Sequence, residues 1–347
     1  MPATASPATI TAREFHLIAR PDGEPTTEHF ALVERSVRPL AAGEVLVRNT
    51  HLSVDPYMRG RMDDVESYVP PFPIGAPLEG AAIGVVVESR DDGLAPGDVV
   101  AHWQSWRELA IGPAGEFERV EVAPGIPPSA FLGVLGTPGL AAYVGIADVA
   151  RVGAGDTVYV SAAAGAVGSV AAQIARMRGA RRVVGSAGGA EKVAWLTEEA
   201  GFDAAFNHRD GALAEQLRDA APDGVDVVFD NVAGDHLEAA IDVLNVHGRV
   251  VLCGYITSHH TGGYAAGPRN LSLLVTKRIA TQGILVTDHI HKLPAYRATA
   301  QAWLRDGRLR FRETVVDGIE QMPDALLGLY RGDNVGKMVV RVDPVRG

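Results

Sequence analysis

Hydrophobic residues in the first third of the chain come in short runs separated by glycine, proline and aspartate. The runs at 45–48, 84–88 and 98–101 have the length and the bounding residues of β-strands. Between residue 11 and residue 121 this pattern predicts an antiparallel, barrel-like β domain.

From residue 155 onward, short apolar strands alternate with stretches of helical length. Strands are predicted at 157–161, 182–186, 204–206, 226–230 and 249–253, with helices at 167–178, 191–200, 212–218, 235–244 and 293–305. Such alternation is typical of a doubly wound parallel sheet. The apolar run 283–286 precedes the last helix, and the tail at 337–342 is expected to return to the first domain as strands. We therefore expect an α/β protein of two domains, one at 1–133 completed by 306–347 and one at 134–305.

Net charge, cysteine content and hydropathy limit which partners and which cellular location the sequence predicts. The formal net charge of −10 argues against a nucleic-acid partner, which usually shows a basic patch. The one cysteine, Cys253, has no partner for an intramolecular disulfide, which fits a cytoplasmic protein. Residues 1–10 lack the features of a signal peptide, and no run of about 18 apolar residues predicts a membrane span.

A glycine-containing turn lies between the strand at 157–161 and the helix at 167–178. It fits the dinucleotide-binding pattern GxGxxG, with Ala163 in the first glycine position, Gly165 in the second and Gly168 in the third. Gly165 would let the backbone approach a pyrophosphate, and Gly168 would let helix and strand pack closely. The helix N-terminus would supply free N–H donors for the phosphates. The turn therefore predicts a dinucleotide site, with a plain glycine- and alanine-rich turn as the alternative.

The end of the second strand indicates which dinucleotide is bound. An NAD site usually places Asp or Glu there, about 20 residues after the glycine loop, to bind the ribose 2′-hydroxyl. Here the segment 185–189 carries no acid, Ser186 offers a hydroxyl and Lys192 follows. This predicts NADPH as the cofactor, with Lys192 as a solvated helix residue being the alternative.

The sequence also lacks the residue patterns of zinc sites and of serine or cysteine nucleophiles. One cysteine excludes a four-cysteine zinc lobe within the chain, and the 11 histidines include no HxxxH pair on a predicted helix. The clusters His259-His260 and His289/His291 lie in loop-like segments. No GxSxG elbow is present, and Cys253 ends a buried strand, where packing is its expected role. We therefore expect catalysis without a metal.

Several longer segments are specific in combination: Ser53-Val54-Asp55-Pro56-Tyr57-Met58-Arg59, Phe229-Asp230-Asn231-Val232, Leu252-Cys253-Gly254, Gly267-Pro268-Arg269-Asn270-Leu271 and Gly332-Asp333-Asn334-Val335-Gly336-Lys337. With the glycine loop and segment 185–193, they make the chain resemble the zinc-independent medium-chain reductases, which include leukotriene/prostaglandin reductases, plant alkenal double-bond reductases and bacterial curcumin reductase. The resemblance covers almost the whole chain. It implies a GroES-like β-barrel-type domain, a Rossmann domain that binds NADPH, and a homodimer.

The resemblance also implies roles for individual residues. Gly165, Ala166, Val167 and Gly168 would hold the pyrophosphate, and Lys192 the 2′-phosphate, beside Ser186 and His208. The nicotinamide side would be formed by Asn231, Cys253, Tyr255, Ile284, Leu285, Val286 and Asn334. Tyr57 would line the substrate cleft.

Two positions depart from the family pattern, which usually has tyrosine where His208 and His259 stand. An imidazole at His208 can still bind phosphate. His259 leaves open which group donates to the substrate carbonyl, with Tyr57, Tyr255, His259 and the cofactor ribose as candidates. The expected reaction is hydride transfer from NADPH to the β-carbon of an α,β-unsaturated ketone or aldehyde. An NADPH:quinone reductase and a non-catalytic NADPH-binding regulator are the alternatives.

Overall fold

A computed structural model of the chain describes residues 10–256 and 267–342. They divide into two compact units. One comprises 10–129 with 315–327 and 339–342, and the other comprises 130–314 with 328–338. Each unit is built around its own sheet. In the part of the chain that the structure describes, no helix is long and apolar enough to cross a bilayer.

The first unit is a β domain whose strands alternate short apolar stretches with turns, as predicted. It contains β1 (Thr11–Leu17), β2 (Phe30–Ser36), β3 (Glu44–Ser53), the short helix α1 (Tyr57–Gly60), β4 (Ala82–Ser89), β5 (Val99–His102), β6 (Leu109–Pro113) and β7 (Glu118–Arg119). Strand β3 pairs antiparallel with both β4 and β6, while β1 and β2 form a separate antiparallel pair. Valines of β3, β4 and β5 form a core cluster with Phe117.

The second unit is a doubly wound α/β domain. It contains α2 (Thr137–Tyr143), β8 (Thr157–Val160), α3 (Gly168–Met177), β9 (Arg182–Ala187), α4 (Ala190–Glu198), β10 (Ala204–Asn207), α5 (Leu213–Ala220), β11 (Val225–Asp230), α6 (Gly234–Val243), β12 (Leu244–Leu252), α7 (Ser272–Thr276), β13 (Ala280–Gly283) and α8 (Leu293–Arg305). Its described strands pair in parallel in the order β10-β9-β8-β11-β12-β13. The predicted Rossmann sheet is thereby confirmed.

Parallel strands covered by helices on both faces are buried along their whole length, which explains their continuous apolar sequences. All four residues of β8 are buried, and Val158 and Val160 are fully enclosed. Tyr159, Val184 and Val228 join residues of α5 and α6 in one core cluster. The C-terminal edges of these strands are therefore held rigidly, and they are the usual place for ligands in such sheets.

The C-terminal part of the chain adds β14 (Glu313–Asp317), α9 (Met322–Arg331) and β15 (Lys337–Arg341). Strand β15 pairs antiparallel with β3, with Val339 opposite Ser53 and Val340 opposite Leu52. The expected return of the tail to the first sheet is therefore confirmed. The apolar run 283–286 differs from a plain strand, because β13 ends at Gly283 and a 3₁₀ turn begins at Val286.

Candidate active site

The glycine-containing turn is a tight loop that joins β8 to α3. Ala162 adopts a left-handed conformation with φ of 46°, and the Ala163 N–H donates to Ser186 O across 2.9 Å. A Cβ on Gly168 would lie 2.7 Å from Ala162 O and 2.9 Å from the Ala163 Cα. Only glycine therefore allows α3 to begin this close to the loop, which is the packing role that the sequence suggested.

The tip of this loop has the properties of a phosphate site. Gly165, Ala166 and Val167 are partly exposed, whereas the residues on either side of them are buried. The N–H groups of Ala166 and Val167 donate to no backbone carbonyl in the described part of the chain. They lie at the N-terminal end of α3, where the helix dipole favours an anion. The loop therefore fits the pyrophosphate of a dinucleotide.

Asn334 braces this loop from a second turn. Its side-chain amide donates to Gly336 O across 2.7 Å, and the Gly336 N–H donates to Ala164 O across 2.7 Å. Gly336 has φ of 71°, and a Cβ there would lie 1.9 Å from Arg312 O. Asn334 thus fixes a turn that only glycine can complete.

A group of cationic side chains lies beyond the C-terminal ends of β9 and β10. The Lys192 ammonium donates to Gly332 O across 2.7 Å, and the Arg209 guanidinium donates to Arg331 O across 3.3 Å. A Cβ on Gly332 would lie 3.6 Å from the Lys192 Nζ and 3.7 Å from an Arg209 nitrogen, so both cations face the same stretch of backbone.

His208 joins this group at Gly188. A Cβ on Gly188 would lie 3.0 Å from the His208 Cε1 and 3.4 Å from the Arg209 Cζ. The glycine therefore keeps open the space that the imidazole and the guanidinium face.

Positive charge in this group is not balanced by ion pairs. Neither Lys192 nor Arg209 pairs with a carboxylate among residues 10–256 and 267–342. Burial and, after it, the charge of Arg209 lower the pKa values of both Lys192 and His208. A doubly charged phosphate would relieve this repulsion, so the group fits the 2′-phosphate of NADPH.

Ser186 lies close to this group in sequence, but its hydroxyl points into the core. The side chain is fully buried, and its Oγ lies 2.8 Å from the Tyr159 hydroxyl. The Tyr159 hydroxyl also lies 3.3 Å from the His236 Nδ1. The Ser186 hydroxyl is therefore engaged within the protein, and the backbone of Ser186 bonds the glycine loop through Ala163.

A buried carboxylate organises the C-terminal ends of β8, β11 and β12. Asp230 accepts from the Ser161 hydroxyl across 2.6 Å and from the Ala233 N–H across 2.9 Å, while its carbonyl accepts from the Cys253 N–H across 2.8 Å. Asn231 donates through its side chain to Ser161 O across 2.7 Å. This network holds Asn231 and Cys253 at adjacent strand ends.

Cys253 does not have the properties of a nucleophile. Burial, followed by the nearby charge of Asp230, raises the pKa of its thiol to about 12, so the thiol stays protonated.

The segment 284–286 lies beside the same strand end as Cys253, because Ile284 donates its N–H to Leu252 O across 3.0 Å. Leu285 and Val286 are partly exposed there, whereas Tyr255 is half exposed. His259 lies outside the described residues.

Tyr57 lies in the other unit, at the start of α1. Its hydroxyl is buried and has no hydrogen-bond partner among the described residues, and burial raises the pKa of the phenol. A Cβ on Gly80 would lie 3.6 Å from this hydroxyl and 2.6 Å from the Met58 Cε, so glycine is needed beside it. A buried donor without a partner is unfavourable unless a ligand uses it.

Metal ligands do not converge in the part of the chain that the structure describes. Residues 10–256 and 267–342 contain no group of three or more His, Cys, Asp and Glu side chains placed to hold a metal ion.

Three polar residues of these sites had no role assigned from the sequence: Arg209, His236 and Asp230. Arg209 directly follows His208 at the end of a parallel strand, and a basic pair there was a usable indication. Asp230 likewise ends a strand next to Asn231. His236 gave no indication, because its contact with His208 joins residues from different elements of the fold.

Comparison with known proteins agrees with this fold. Residues 13–120 match the family described as the N-terminal domain of oxidoreductase, and residues 166–302 match the family described as zinc-binding dehydrogenase. The chain belongs to the medium-chain dehydrogenase/reductase family, in the zinc-independent branch of alkenal and prostaglandin reductases.

Individual relatives cover almost the full chain. The NADPH-dependent curcumin reductase of Escherichia coli is 38% identical over 95% of this chain and 96% of its own length. The NADP⁺-dependent 2-alkenal reductase of Nicotiana tabacum is 40% identical over 88% of this chain and 89% of its own. The crystal structure of CurA from Vibrio vulnificus in complex with NADPH has a TM-score of 0.90 and 38% identity, over 96% of this chain and 99% of that one.

Proposed function

We propose that this protein is an NADPH-dependent reductase of the carbon–carbon double bond in α,β-unsaturated ketones and aldehydes. The observation that carries the cofactor assignment is the group of Lys192, Arg209 and His208 beside Gly188, in which neither Lys192 nor Arg209 forms an ion pair with a described carboxylate. Relatives at 38–40% identity that are named for NADPH or NADP⁺ and for curcumin or 2-alkenal reduction support the reaction class.

The residues of the second unit would bind and orient the cofactor. The loop 165–168 would hold the pyrophosphate, and Lys192, His208 and Arg209 would hold the 2′-phosphate. Asn231, Cys253 and the segment 284–286 would form the nicotinamide side, with the Asp230 network fixing the first two. When bound, NADPH supplies the hydride for the reduction.

Polar donors would stabilise the negative charge that builds on the substrate carbonyl oxygen during reduction. Tyr57 is the strongest candidate, because its buried hydroxyl lacks a partner. Its raised phenol pKa keeps the donor protonated throughout the working pH range. Tyr255 and His259 remain further candidates from the sequence. The final proton can come from water, so no general acid is required.

Purified protein tests this proposal with a panel of enones, enals and quinones, followed by NADPH absorbance and product analysis. We expect NADPH consumption with enones and enals and recovery of the saturated carbonyl compound. Turnover of quinones alone would assign the protein as a quinone reductase. Thermal stabilisation by NADPH without turnover of any substrate would assign it as an NADPH-binding regulator.

The proposal extends to assembly as a homodimer. Strand β13 forms one edge of the described sheet, and all four of its residues are exposed. Exposed edge strands present unpaired backbone groups and are usually covered. Light scattering on the purified protein should give about twice the monomer mass of 36.6 kDa, whereas a monomer at micromolar concentration would reject this part.

A further inference from the structure

Two histidines from different elements meet beneath the cationic group. His208 follows β10, and His236 belongs to the first turn of α6. Their rings pack edge to face, with centroids 5.0 Å apart and planes at 72°. This contact places two imidazoles side by side next to Lys192 and Arg209.

His236 forms the inner, fixed half of the pair. Its Nδ1 lies 3.3 Å from the Tyr159 hydroxyl, which is bonded to the buried Ser186 hydroxyl. Burial, followed by the neighbouring His208, lowers the pKa of His236 to about 4. His236 therefore stays neutral near pH 7 and positions the ring of His208.

His208 forms the outer half and faces the charged groups of the site. Burial lowers its pKa first, followed by the charges of Arg209 and Lys192, whereas the backbone at Ala187 and the carboxylate of Asp210 act in the opposite direction. The net shift is downward, so without an anion the imidazole is mostly neutral at pH 7. Protonation would place a third cation beside Lys192 and Arg209.

We propose that His208 takes up a proton when the 2′-phosphate of NADPH binds, so that affinity for NADPH, but not for NADH, falls as pH rises. This inference rests on the proposed function. A dianion beside the ring replaces net repulsion by attraction and thereby favours the imidazolium. A second proton on His236 would stand next to that imidazolium within the core, so the pair takes up at most one.

The sign of the effect follows from linkage. The pKa of His208 is higher in the complex than in the free protein. The proton on His208 therefore contributes fully to NADPH affinity below the pKa of His208 in the free protein. This contribution is lost as pH rises through the pKa of His208 in the complex. Ionisation of the phosphate itself works the other way, because the dianion forms as pH rises through about 6. A variant without the imidazole retains only that opposing effect.

Isothermal titration calorimetry measures both affinity and proton uptake. Wild type and His208→Tyr are titrated with NADPH and with NADH at three pH values from 6.5 to 8.5, in two buffers of different ionisation enthalpy. For wild type we expect the Kd for NADPH to rise about fivefold across this range, below the limit of about tenfold per pH unit for one linked proton. Proton uptake should accompany binding, and the Kd for NADH should change less than about twofold. His208→Tyr should show neither the rise nor the uptake.

A second variant locates the proton. His236→Phe keeps an aromatic ring against His208 and should retain proton uptake, since the proton resides on His208. If His236→Phe is unstable, histidine side-chain NMR of wild type with and without NADPH identifies the protonated ring directly.

Three results would overturn the proposal: an unchanged pH slope in His208→Tyr, no proton uptake in wild type, or a proton located on His236. Each of these leaves tighter binding of NADPH than NADH intact. Equal affinity for NADPH and NADH in wild type would instead reject the proposed cofactor, so the two failures are distinguishable.

Discussion

Lys192 and Arg209 together should account for the preference of this protein for NADPH over NADH. The two side chains face the same backbone at Gly332 and pair with no carboxylate in the described residues. Replacing either one by a neutral residue, as Lys192→Ala or Arg209→Gln, would remove a charged donor from the proposed site of the 2′-phosphate. Binding of NADH, which lacks this phosphate, should be almost unaffected.

The size of the effect can be bounded from the surroundings of the two groups. A hydrogen bond to a charged group contributes about 1.5–3 kcal/mol. Lys192 is partly exposed and already donates to Gly332 O, so we take the lower half of that range. At 1.4 kcal/mol for each factor of ten, each variant should bind NADPH about 10- to 40-fold more weakly. The double variant should fall short of the product of the two factors, because both cations would contact one phosphate in the proposed site.

Fluorescence or calorimetric titration with both cofactors provides the assay. Arg308→Gln is a matched control, because it removes an exposed arginine of the same unit that has no contact with the group. We expect this control to leave both affinities within about twofold, since exposed charges at a distance are screened. Equal losses of NADPH and NADH affinity in Lys192→Ala, or no loss in either variant, would refute the reasoning.

Three further predictions concern the loop, the substrate donor and metal. Gly168→Val should abolish measurable binding of NADPH and NADH in titrations, because a side chain at this position would clash with Ala162 O and the Ala163 backbone. Binding that persists in this variant would show that the loop can shift. Tyr57→Phe should lower kcat with an enone about 100-fold, because the substrate carbonyl would lose one well-aimed hydrogen-bond donor. The Kd for NADPH is the control and should stay unchanged. A decrease in kcat of less than about threefold would exclude Tyr57 as that donor. Prolonged treatment with a chelator should leave activity unchanged, whereas loss of activity that zinc restores would contradict metal-independent reduction.

The regular elements of the second unit were predictable because each is a local pattern. The helix predicted at 293–305 coincides with α8, and the strand predicted at 182–186 lies within β9. The run 283–286 was less informative, since a short apolar run has no periodicity that separates a strand end from a helical turn. Strand β12 also begins earlier than predicted, at Leu244, because it follows α6 without a loop.

The candidate site was predictable in part. The loop at 165–168 and Lys192 carry local motifs. The direction of the Ser186 side chain could not be predicted, because a strand buried on both faces shows no alternation of polar and apolar residues from which to assign a face. The contacts of Arg209 with Arg331 and of Lys192 with Gly332 join residues far apart in sequence, and only the folded chain brings them together.

The position of the transferred hydrogen distinguishes reduction of the carbon–carbon double bond from reduction of the carbonyl group. NADPH carrying deuterium at both positions of nicotinamide C4 is incubated with the enzyme and an enone, and the product is analysed by NMR and mass spectrometry. If the enzyme reduces the double bond, the product is a saturated ketone with one deuterium on the carbon β to an intact carbonyl group. An allylic alcohol with deuterium on the former carbonyl carbon would contradict reduction of the double bond.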